Sequence, residues 1–241
     1  MHPIPLLRRV SAVALALACS IAATPASANI GVSPLRVTIA PGERSAAFTI
    51  TNVQATDLTV QAEVVRWERV NGEDKQTKSN DWILNPPVMT SPALGSRVIR
   101  MALKNPAPSP EEVAYRLIIT EVRAPGSERG LSVVVRMHVS LPVFIAAVNG
   151  SRAKPEWTAR RDGAKRISIR VRNAGASHIH VTRFMFKDES GKPLQDVVQT
   201  YVFGGETRTW IVDLPPDAAA THLALQAETD NGVQTIPIEG Q

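Results

Sequence analysis

Apolar and polar residues alternate with a period of two in short stretches along most of this chain. Such alternation is typical of strands with one face in a core and the other toward solvent. It predicts strands over 32–39, 44–51, 58–70, 82–89, 97–103, 115–122, 131–143, 166–172, 178–187, 197–203, 207–213, 223–228 and 233–238. Asn71-Gly72 is the clearest hairpin turn, because these residues adopt positive φ at low cost. No window repeats apolar residues at helical spacing, so the pattern predicts an all-β chain.

The alternating pattern stops near residue 150 and then starts again. Asn149-Gly150-Ser151-Arg152, followed by Lys154-Pro155, has the composition of a linker. Strands spaced about ten residues apart favour sandwiches or barrels over a parallel sheet. We therefore expect two β-sandwich domains, one over 29–148 and one over 149–241, each within the usual size range.

One predicted strand, 131–143, carries a fully apolar row on one face. That row consists of Leu131, Val133, Val135 and Met137, whereas the opposite row, Ser132, Val134, Arg136 and His138, is mixed. An apolar row has to pack against something, either its own core or another chain. The alternation alone leaves both possibilities open.

The first 28 residues have the three parts of a secretory signal. Arg8 and Arg9 precede the apolar run 10–23, and Ala26-Ser27-Ala28 forms a small-residue cleavage site. The apolar run is too short and wrongly flanked for a membrane span, so we expect export without membrane insertion. The only cysteine, Cys19, lies inside this signal. The exported chain would therefore contain no disulfide, thiolate metal site or cysteine nucleophile.

Charge argues against a nucleic-acid partner. Two of the 27 basic residues lie in the signal and none of the 22 acidic ones does, so the exported chain has a net charge of +3. An exported protein this weakly basic is not expected to bind nucleic acid.

No motif in the chain indicates catalysis. Gly-x-Ser-x-Gly, His-Glu-x-x-His, phosphate loops and dinucleotide fingerprints are all absent from the sequence. His178 and His180 have a spacing that a metal enzyme could use, but no third ligand lies nearby in sequence, and a polar strand face is the simpler interpretation. We therefore predict a binding protein with no metal, no cofactor and no enzymatic activity.

Several stretches, taken in order, resemble the PapD-like periplasmic chaperones of chaperone-usher pilus assembly. The similarity covers nearly the whole exported chain and is closer to the short-loop or archaic subgroups than to the long-loop one. It is carried by Pro34-Leu35-Arg36-Val37, Pro41-Gly42-Glu43, Asn85-Pro86-Pro87-Val88, Ser96-Arg97-Val98-Ile99-Arg100, Tyr115 to Glu121, Leu141-Pro142-Val143-Phe144, Val171-Arg172-Asn173 and Asp230-Asn231-Gly232.

This resemblance implies an architecture and a set of partners. Two immunoglobulin-like sandwiches would meet in an L, and the last strand of the first would be lent to the open groove of an incomplete pilus subunit. The donated residues would be Leu131, Val133, Val135 and Met137. The expected partners are pilus or fimbrial subunits and an outer-membrane usher, and the expected location is the periplasm. An apolar edge strand would also allow self-association of the free protein.

The resemblance also implies residue roles in the cleft between the domains. Arg36 would bind the C-terminal carboxylate of the subunit, since arginine can bind a carboxylate in bidentate fashion. Ser140 stands where the family has a lysine, and Arg136 or His138 on the same face are candidate substitutes. Glu121 and Asp230 resemble acids that lock the domains together, although Phe144 occupies their basic partner's position. Arg100, if buried, would pair with Glu121.

A second interpretation is a two-domain immunoglobulin-like surface or adhesion protein without chaperone activity. In that protein the row from Leu131 to Met137 would face its own core.

Overall fold

The computed structural model describes residues 30–105, 108–122, 136–150, 152–163, 165–187, 193–214 and 223–240. These residues form eighteen strands and no helix, which confirms the all-β prediction. None of them therefore forms an apolar helix long enough to cross a bilayer. The predicted signal, Met1 to Ala28, and the predicted donor residues Leu131, Val133 and Val135 lie outside the described residues.

The first ten strands build two facing sheets. They are β1 (Ile30–Ser33), β2 (Val37–Ile39), β3 (Ser45–Asn52), β4 (Leu58–Val70), β5 (Glu73–Lys78), β6 (Trp82–Asn85), β7 (Val88–Ser91), β8 (Ser96–Leu103), β9 (Val113–Glu121) and β10 (His138–Ile145). Sheet A has the order β1-β3-β8-β6, and sheet B has the order β2-β10-β9-β4-β5 with β7 also paired to β4. Side chains from both sheets share one core, which makes this unit a sandwich.

The remaining eight strands build a second pair of sheets. They are β11 (Pro155–Arg161), β12 (Arg166–Asn173), β13 (Ile179–Lys187), β14 (Pro193–Val202), β15 (Thr207–Asp213), β16 (Ala224–Thr229), β17 (Gly232–Ile236) and β18 (Ile238–Glu239). Sheet C has the order β15-β12-β11-β18, and sheet D has the order β14-β13-β16-β17. This sandwich has its own core, in which Phe184, Phe186 and Leu225 are fully buried or nearly so.

The predicted strand over 32–39 is wrong in one respect, because it forms two strands that belong to different sheets. β1 pairs antiparallel with β3 in sheet A, and after Pro34 the chain crosses over so that β2 pairs parallel with β10 in sheet B. The predicted strand over 82–89 divides in the same way at Pro86-Pro87, since β6 pairs with β8 and β7 with β4. A residue pattern shows which face is apolar but does not show which sheet supplies the partner.

The Asn71-Gly72 hairpin is confirmed. β4 and β5 pair antiparallel with Val70 opposite Glu73, and the two turn residues have φ values of 53° and 83°. Positive φ at both central positions fits the right-handed twist of the strands that the turn joins. β4 is long because of this hairpin, and its far end carries Trp67 toward the second sandwich.

β10 overlaps the described part of the predicted strand over 131–143 and continues two residues past its predicted end. Its odd-numbered side chains Val139, Leu141 and Val143 belong to the core of the first sandwich. The even-numbered side chains therefore lie on the outer face of sheet B, where Phe144 packs with residues of the second sandwich.

Candidate functional site

The predicted anchor Arg36 lies between the two sandwiches. It immediately precedes β2, whose Val37 pairs with Val143 of β10, so Arg36 lies beside the end of the strand predicted to be donated. Its Nη1 donates to Asp230 Oδ2 at 2.8 Å. The Arg36 and Asp230 side chains are 37% and 20% exposed, respectively, and border a cleft of about 600 Å³.

Asp230 is held in place by the turn that was predicted over 230–232. It follows β16, and Gly232 takes a φ of 108°. The other carboxylate oxygen, Oδ1, accepts from the backbone N–H of His180 at 3.2 Å. Asp230 thus pairs with Arg36 across the cleft, and not with a residue at position 144.

His178 forms a second connection between the sandwiches. Its Nδ1 lies 2.7 Å from Glu112 Oε1, and its Nε2 lies 3.7 Å from Asp230 Oδ2. The imidazole stacks on the ring of Phe144, with centroids 3.7 Å apart and an interplanar angle of 18°. His178 and Glu112 are 8% and 7% exposed, so this contact is buried. The basic partner expected at position 144 is thus absent, and an imidazole from the other domain lies against the phenyl ring that replaces it.

An aromatic cluster closes the contact between the sandwiches. Trp67, Ala114 and Phe144 of the first sandwich are buried in one cluster, and Tyr201 and Phe203 of the second sandwich pack against it. Trp67 makes edge contacts with Tyr201 and Phe203 at centroid distances of 5.4 and 4.8 Å. Such edge contacts add to the free energy of stabilisation that comes from burying the rings alone.

Arg69 adds a charged connection beside this cluster. Its Nε lies 3.2 Å from Glu206 Oε1, and its Nη2 donates to the Tyr201 carbonyl at 3.2 Å. The side chain is only 10% exposed and also pairs with Asp74. Neither Arg69 nor Trp67 was singled out in the sequence, where Arg66-Trp67-Glu68-Arg69 has the mixed charge of an ordinary exposed strand face.

The structure brings a different cation to Ser140 from those predicted. Arg116 of the neighbouring strand β9 donates from Nη1 to Ser140 Oγ at 3.2 Å. Its guanidinium lies over the Trp67 ring, 3.7 Å from the centroid. The antiparallel register of β9 and β10, which pairs Pro142 with Arg116, is the signal that identifies this residue.

Arg136 and His138 are not brought to Arg36. Both are exposed, and His138 Nδ1 lies 3.3 Å from Thr120 Oγ1. His138 is four residues along β10 from Pro142, which places it about 13 Å from the level of Arg36. Neither side chain is therefore placed to share an anion with Arg36.

The condition for the predicted pair of Arg100 with Glu121, a buried Arg100, is not met. Arg100 is exposed, because it alternates with the inward-facing Ile99 and Met101 of β8, and so it needs no buried partner. Glu121 ends β9 in the other sheet and accepts from the backbone N–H of Met137 at 3.4 Å. Its described contact therefore lies within the first sandwich.

Burial shifts the pKa of three groups around the cleft. It raises the pKa of Tyr201, and the positive charges of Arg36 and Arg116 oppose that rise. It lowers the pKa of Arg116 and that of His180, whose ring stacks on Tyr201 at 4.3 Å. The phenol of Tyr201 is thus within the field of both guanidinium groups.

The histidine pair shows no arrangement for metal binding. Within the described ranges, no group of three or more His, Cys, Asp or Glu side chains is placed to hold a metal ion.

Comparisons with known proteins agree with this architecture. Residues 29–147 match a family model described as "Pili and flagellar-assembly chaperone, PapD N-terminal domain". No curated protein matches the chain by sequence.

Solved structures match over most of the chain. A chain of the CsuC-CsuE chaperone-tip adhesion subunit pre-assembly complex, from archaic chaperone-usher Csu pili of Acinetobacter baumannii, is 20% identical with a TM-score of 0.63, covering 88% of this chain and 98% of that one. The E. coli chaperone DraB is 16% identical with a TM-score of 0.60, over 87% and 96% of the two chains. A chain of the Salmonella enterica SafA pilin complex with the SafB chaperone is 16% identical with a TM-score of 0.60. The match covers 89% of this chain and 99% of that one. At these identities the likeness shows the fold, two immunoglobulin-like sandwiches.

Proposed function

Because the chain belongs to the PapD-like family of pili and flagellar-assembly chaperones, we propose that it binds pilus subunits in the periplasm and delivers them to an outer-membrane usher. Residues 1–28 would direct export, 29–148 would form the subunit-binding domain, and 149–241 would form the second domain. The proposed activity is binding alone and requires no cofactor.

The observation that supports this proposal is that Leu131, Val133, Val135 and Met137 continue, in sequence, the inward-facing alternation of β10. The inward row of β10 packs in the core, and Met137 lines a small apolar cavity with Ile30 and Leu58, the first residues of β1 and β4. β9, the antiparallel partner of β10, ends at Glu121, which is level with Met137 along the sheet. Residues 131–135, which carry the rest of the row, lie outside the described residues.

A fully apolar row that continues the inward face of a strand fits the groove of an incomplete sandwich. Donating 131–137 as a strand would supply ladder hydrogen bonds to the subunit, and alternate side chains would fill its pockets. The four donated residues, Leu131, Val133, Val135 and Met137, would contribute about 1.5 to 3 kcal/mol each, or about 6 to 12 kcal/mol before ordering costs. That is enough to hold a subunit whose exposed core would otherwise aggregate.

Arg36 would fix the register of the donated strand. It stands beside β10 because β2 pairs with that strand in parallel, and its guanidinium opens onto the cleft. A C-terminal carboxylate bound there would set which subunit residue faces which donor residue.

The test is coexpression with a pilus subunit of the same organism, followed by purification through a tag on the chaperone. Val133→Glu with Val135→Glu should abolish the one-to-one complex, because two charges would have to enter apolar pockets. Ser132→Glu with Val134→Glu is the matched control, since it adds the same charges to the opposite row of the same segment.

Equal complex yields from the two double variants and the unmodified protein would refute strand donation. Hydrogen exchange distinguishes strand donation from the adhesion-protein alternative. In the adhesion protein, amides 131–137 would exchange slowly in the free protein, and adding a subunit would not change their exchange rates. Strand donation instead requires that these amides become protected when the subunit binds.

A further inference from the structure

A cavity of about 470 Å³ opens at the end of the first sandwich where β10 ends. It lies between the two sheets, near the first residues of β3 and β9 and the last residues of β8 and β10. Residues 131–137 precede the opposite end of β10, so the cavity is separate from the segment proposed to bind a subunit. Small-molecule sites in proteins usually have volumes of about 300 to 1,000 Å³.

The walls of this cavity are largely apolar. Leu103, Val113 and Ile145 line it, and all three belong to or pack against the core of the first sandwich. Val148 also lines it and is 42% exposed. An apolar molecule that enters the cavity would therefore cover apolar surface that is now in contact with water.

Three polar side chains of the lining form a hydrogen-bonded chain. Arg66 Nη1 donates to the Tyr115 hydroxyl at 3.2 Å, and that hydroxyl donates to Asp81 Oδ2 at 2.8 Å. Tyr115 is only 3% exposed, and burial raises its pKa, whereas the Tyr115 hydroxyl lowers the pKa of Asp81. An apolar cavity with a few converging polar groups of shifted pKa is typical of a ligand site.

The two acids of the lining already accept hydrogen bonds from the protein. Asp81 Oδ2 accepts from the Ser79 hydroxyl at 2.9 Å as well as from Tyr115. Glu43 Oε2 accepts from the backbone N–H of Ala40 at 3.1 Å. A cationic ligand would have to compete with these donors.

The two cations of the lining are more available than the acids. Arg44 is exposed and forms no ion pair with any residue that the structure describes. Arg66 is 35% exposed, and its Nε lies 3.6 Å from Glu68 Oε1. An anion in the cavity would give Arg44 the ion pair that it lacks, so charge favours an anionic ligand over a cationic one.

We propose that this cavity binds a fatty carboxylate, with the alkyl chain between Leu103, Val113 and Ile145 and the carboxylate at Arg44 and Arg66. The apolar walls would bury the methylenes of the chain. A planar guanidinium can donate two parallel hydrogen bonds to the two oxygens of one carboxylate. The site does not depend on the proposed function, because the ligand would bind the protein in the absence of any subunit.

Calorimetric titration of the purified protein with sodium decanoate, below the micelle concentration, tests the proposal. We expect saturable binding of one decanoate per chain. Octanoate, which is two methylenes shorter, should bind about 10- to 20-fold more weakly, because each buried methylene adds to the affinity. Titration without saturable binding would overturn the proposal.

Val148→Glu tests the position of the alkyl chain. It places a charge in the apolar wall and should abolish decanoate binding, and the exposure of Val148 allows the variant to fold. Val53→Glu is the matched control, because Val53 is 44% exposed and follows β3 at the other end of the sandwich. Equal affinities of the two variants would show that decanoate binds elsewhere and would overturn the site.

Arg44→Gln tests the recognition of the carboxylate. Decanoate should bind about 2- to 5-fold more weakly, the range expected for an exposed ion pair, whereas the uncharged decanol should bind the variant and the unmodified protein equally. Arg100→Gln, on the exposed outer face of sheet A, is the control and should not change decanoate binding. If Arg44→Gln weakens decanoate and decanol alike, or neither, the charge of Arg44 does not select the ligand.

Sedimentation with phosphatidylglycerol vesicles distinguishes a free fatty carboxylate from the acyl chain of a bilayer lipid. We expect the unmodified protein and Val148→Glu to remain in the supernatant to the same extent. Sedimentation of the unmodified protein that Val148→Glu abolishes would show that the cavity takes up a bilayer lipid, and it would overturn a free ligand.

Discussion

Replacing Phe144 with alanine should uncouple the two sandwiches while leaving the first one folded. Phe144 is completely buried, yet it lies in the inter-sandwich cluster and not in the core of the first sandwich. Its ring stacks on His178 and lies 6.2 and 5.6 Å from Trp67 and Tyr201. Removing it takes away the centre of the contact.

The magnitude follows from complete burial in a small cluster. Phe→Ala substitutions in cores typically cost about 3 to 5 kcal/mol, counting lost transfer free energy and the cavity left behind. The neighbouring Trp67 and Ala114 are fixed in the strands of sheet B, so the cavity has little room to collapse. We therefore expect a loss of about 3 to 5 kcal/mol, which shifts the docking equilibrium by more than about 100-fold.

Calorimetry with tryptophan fluorescence would measure this loss. The Phe144→Ala variant should unfold in two separate transitions, and Trp67 should become solvent-exposed before Trp157 in the second core. Phe184→Ala is the matched control, since Phe184 is equally buried but packs on Trp157 within that core. It should destabilise the second sandwich by a similar amount. If Phe144→Ala costs less than about 1 kcal/mol while Phe184→Ala costs the expected amount, the sandwiches are not held together by this cluster.

Three further outcomes are expected. Asn52→Ala and Asn173→Ala should each lower the free energy of unfolding by at least about 1 to 3 kcal/mol in urea titrations, because each buried amide donates to three loop carbonyls that would lose their partner. The pKa of Asp81 is lowered from its ordinary 3.8, chiefly by a tyrosine hydroxyl that donates to it at 2.8 Å. The ionised Asp81 therefore stabilises the fold fully above about pH 3.8, and this contribution is lost as the pH falls through the lower pKa of the folded state. Asp81→Asn should therefore reduce the fall of the melting temperature at acid pH. Asp230→Asn should free Arg36 and tighten subunit binding in a titration by calorimetry, and weaker binding would contradict that assignment.

The alternation of apolar and polar residues predicted most strand positions. In a half-buried strand, successive side chains point alternately to the core and to solvent, and the sequence alternates accordingly. β4 was predicted with its full length, and the Asn-Gly turn identified its hairpin. β11 was missed because only Trp157 and Ala159 mark its inward face, among charged residues and after Pro155. The assignment of β1 and β2 to different sheets could not be predicted. Both strands belong to one alternating pattern in the sequence, and only their pairing with other strands distinguishes them.

The candidate site was predictable where a residue belongs to a motif and not where it depends on register. Arg36 lies in a recognisable stretch, and the turn at Asp230 has its own local signal. The alternation along β10 indicates Arg136 and His138 as candidate second cations, but both lie toward the far end of the strand from Arg36. Arg116 is 24 residues from Ser140 in sequence and reaches it only because β9 and β10 pair as they do.

Arg36 does not face the cleft as a free cation, and this limits what it would gain from an incoming carboxylate. Arg36 already has a carboxylate at 2.8 Å, so an incoming carboxylate at Arg36 replaces or joins Asp230 and gains only the difference between two ion pairs. Arg36 and Asp230 would then position the terminus and connect the sandwiches.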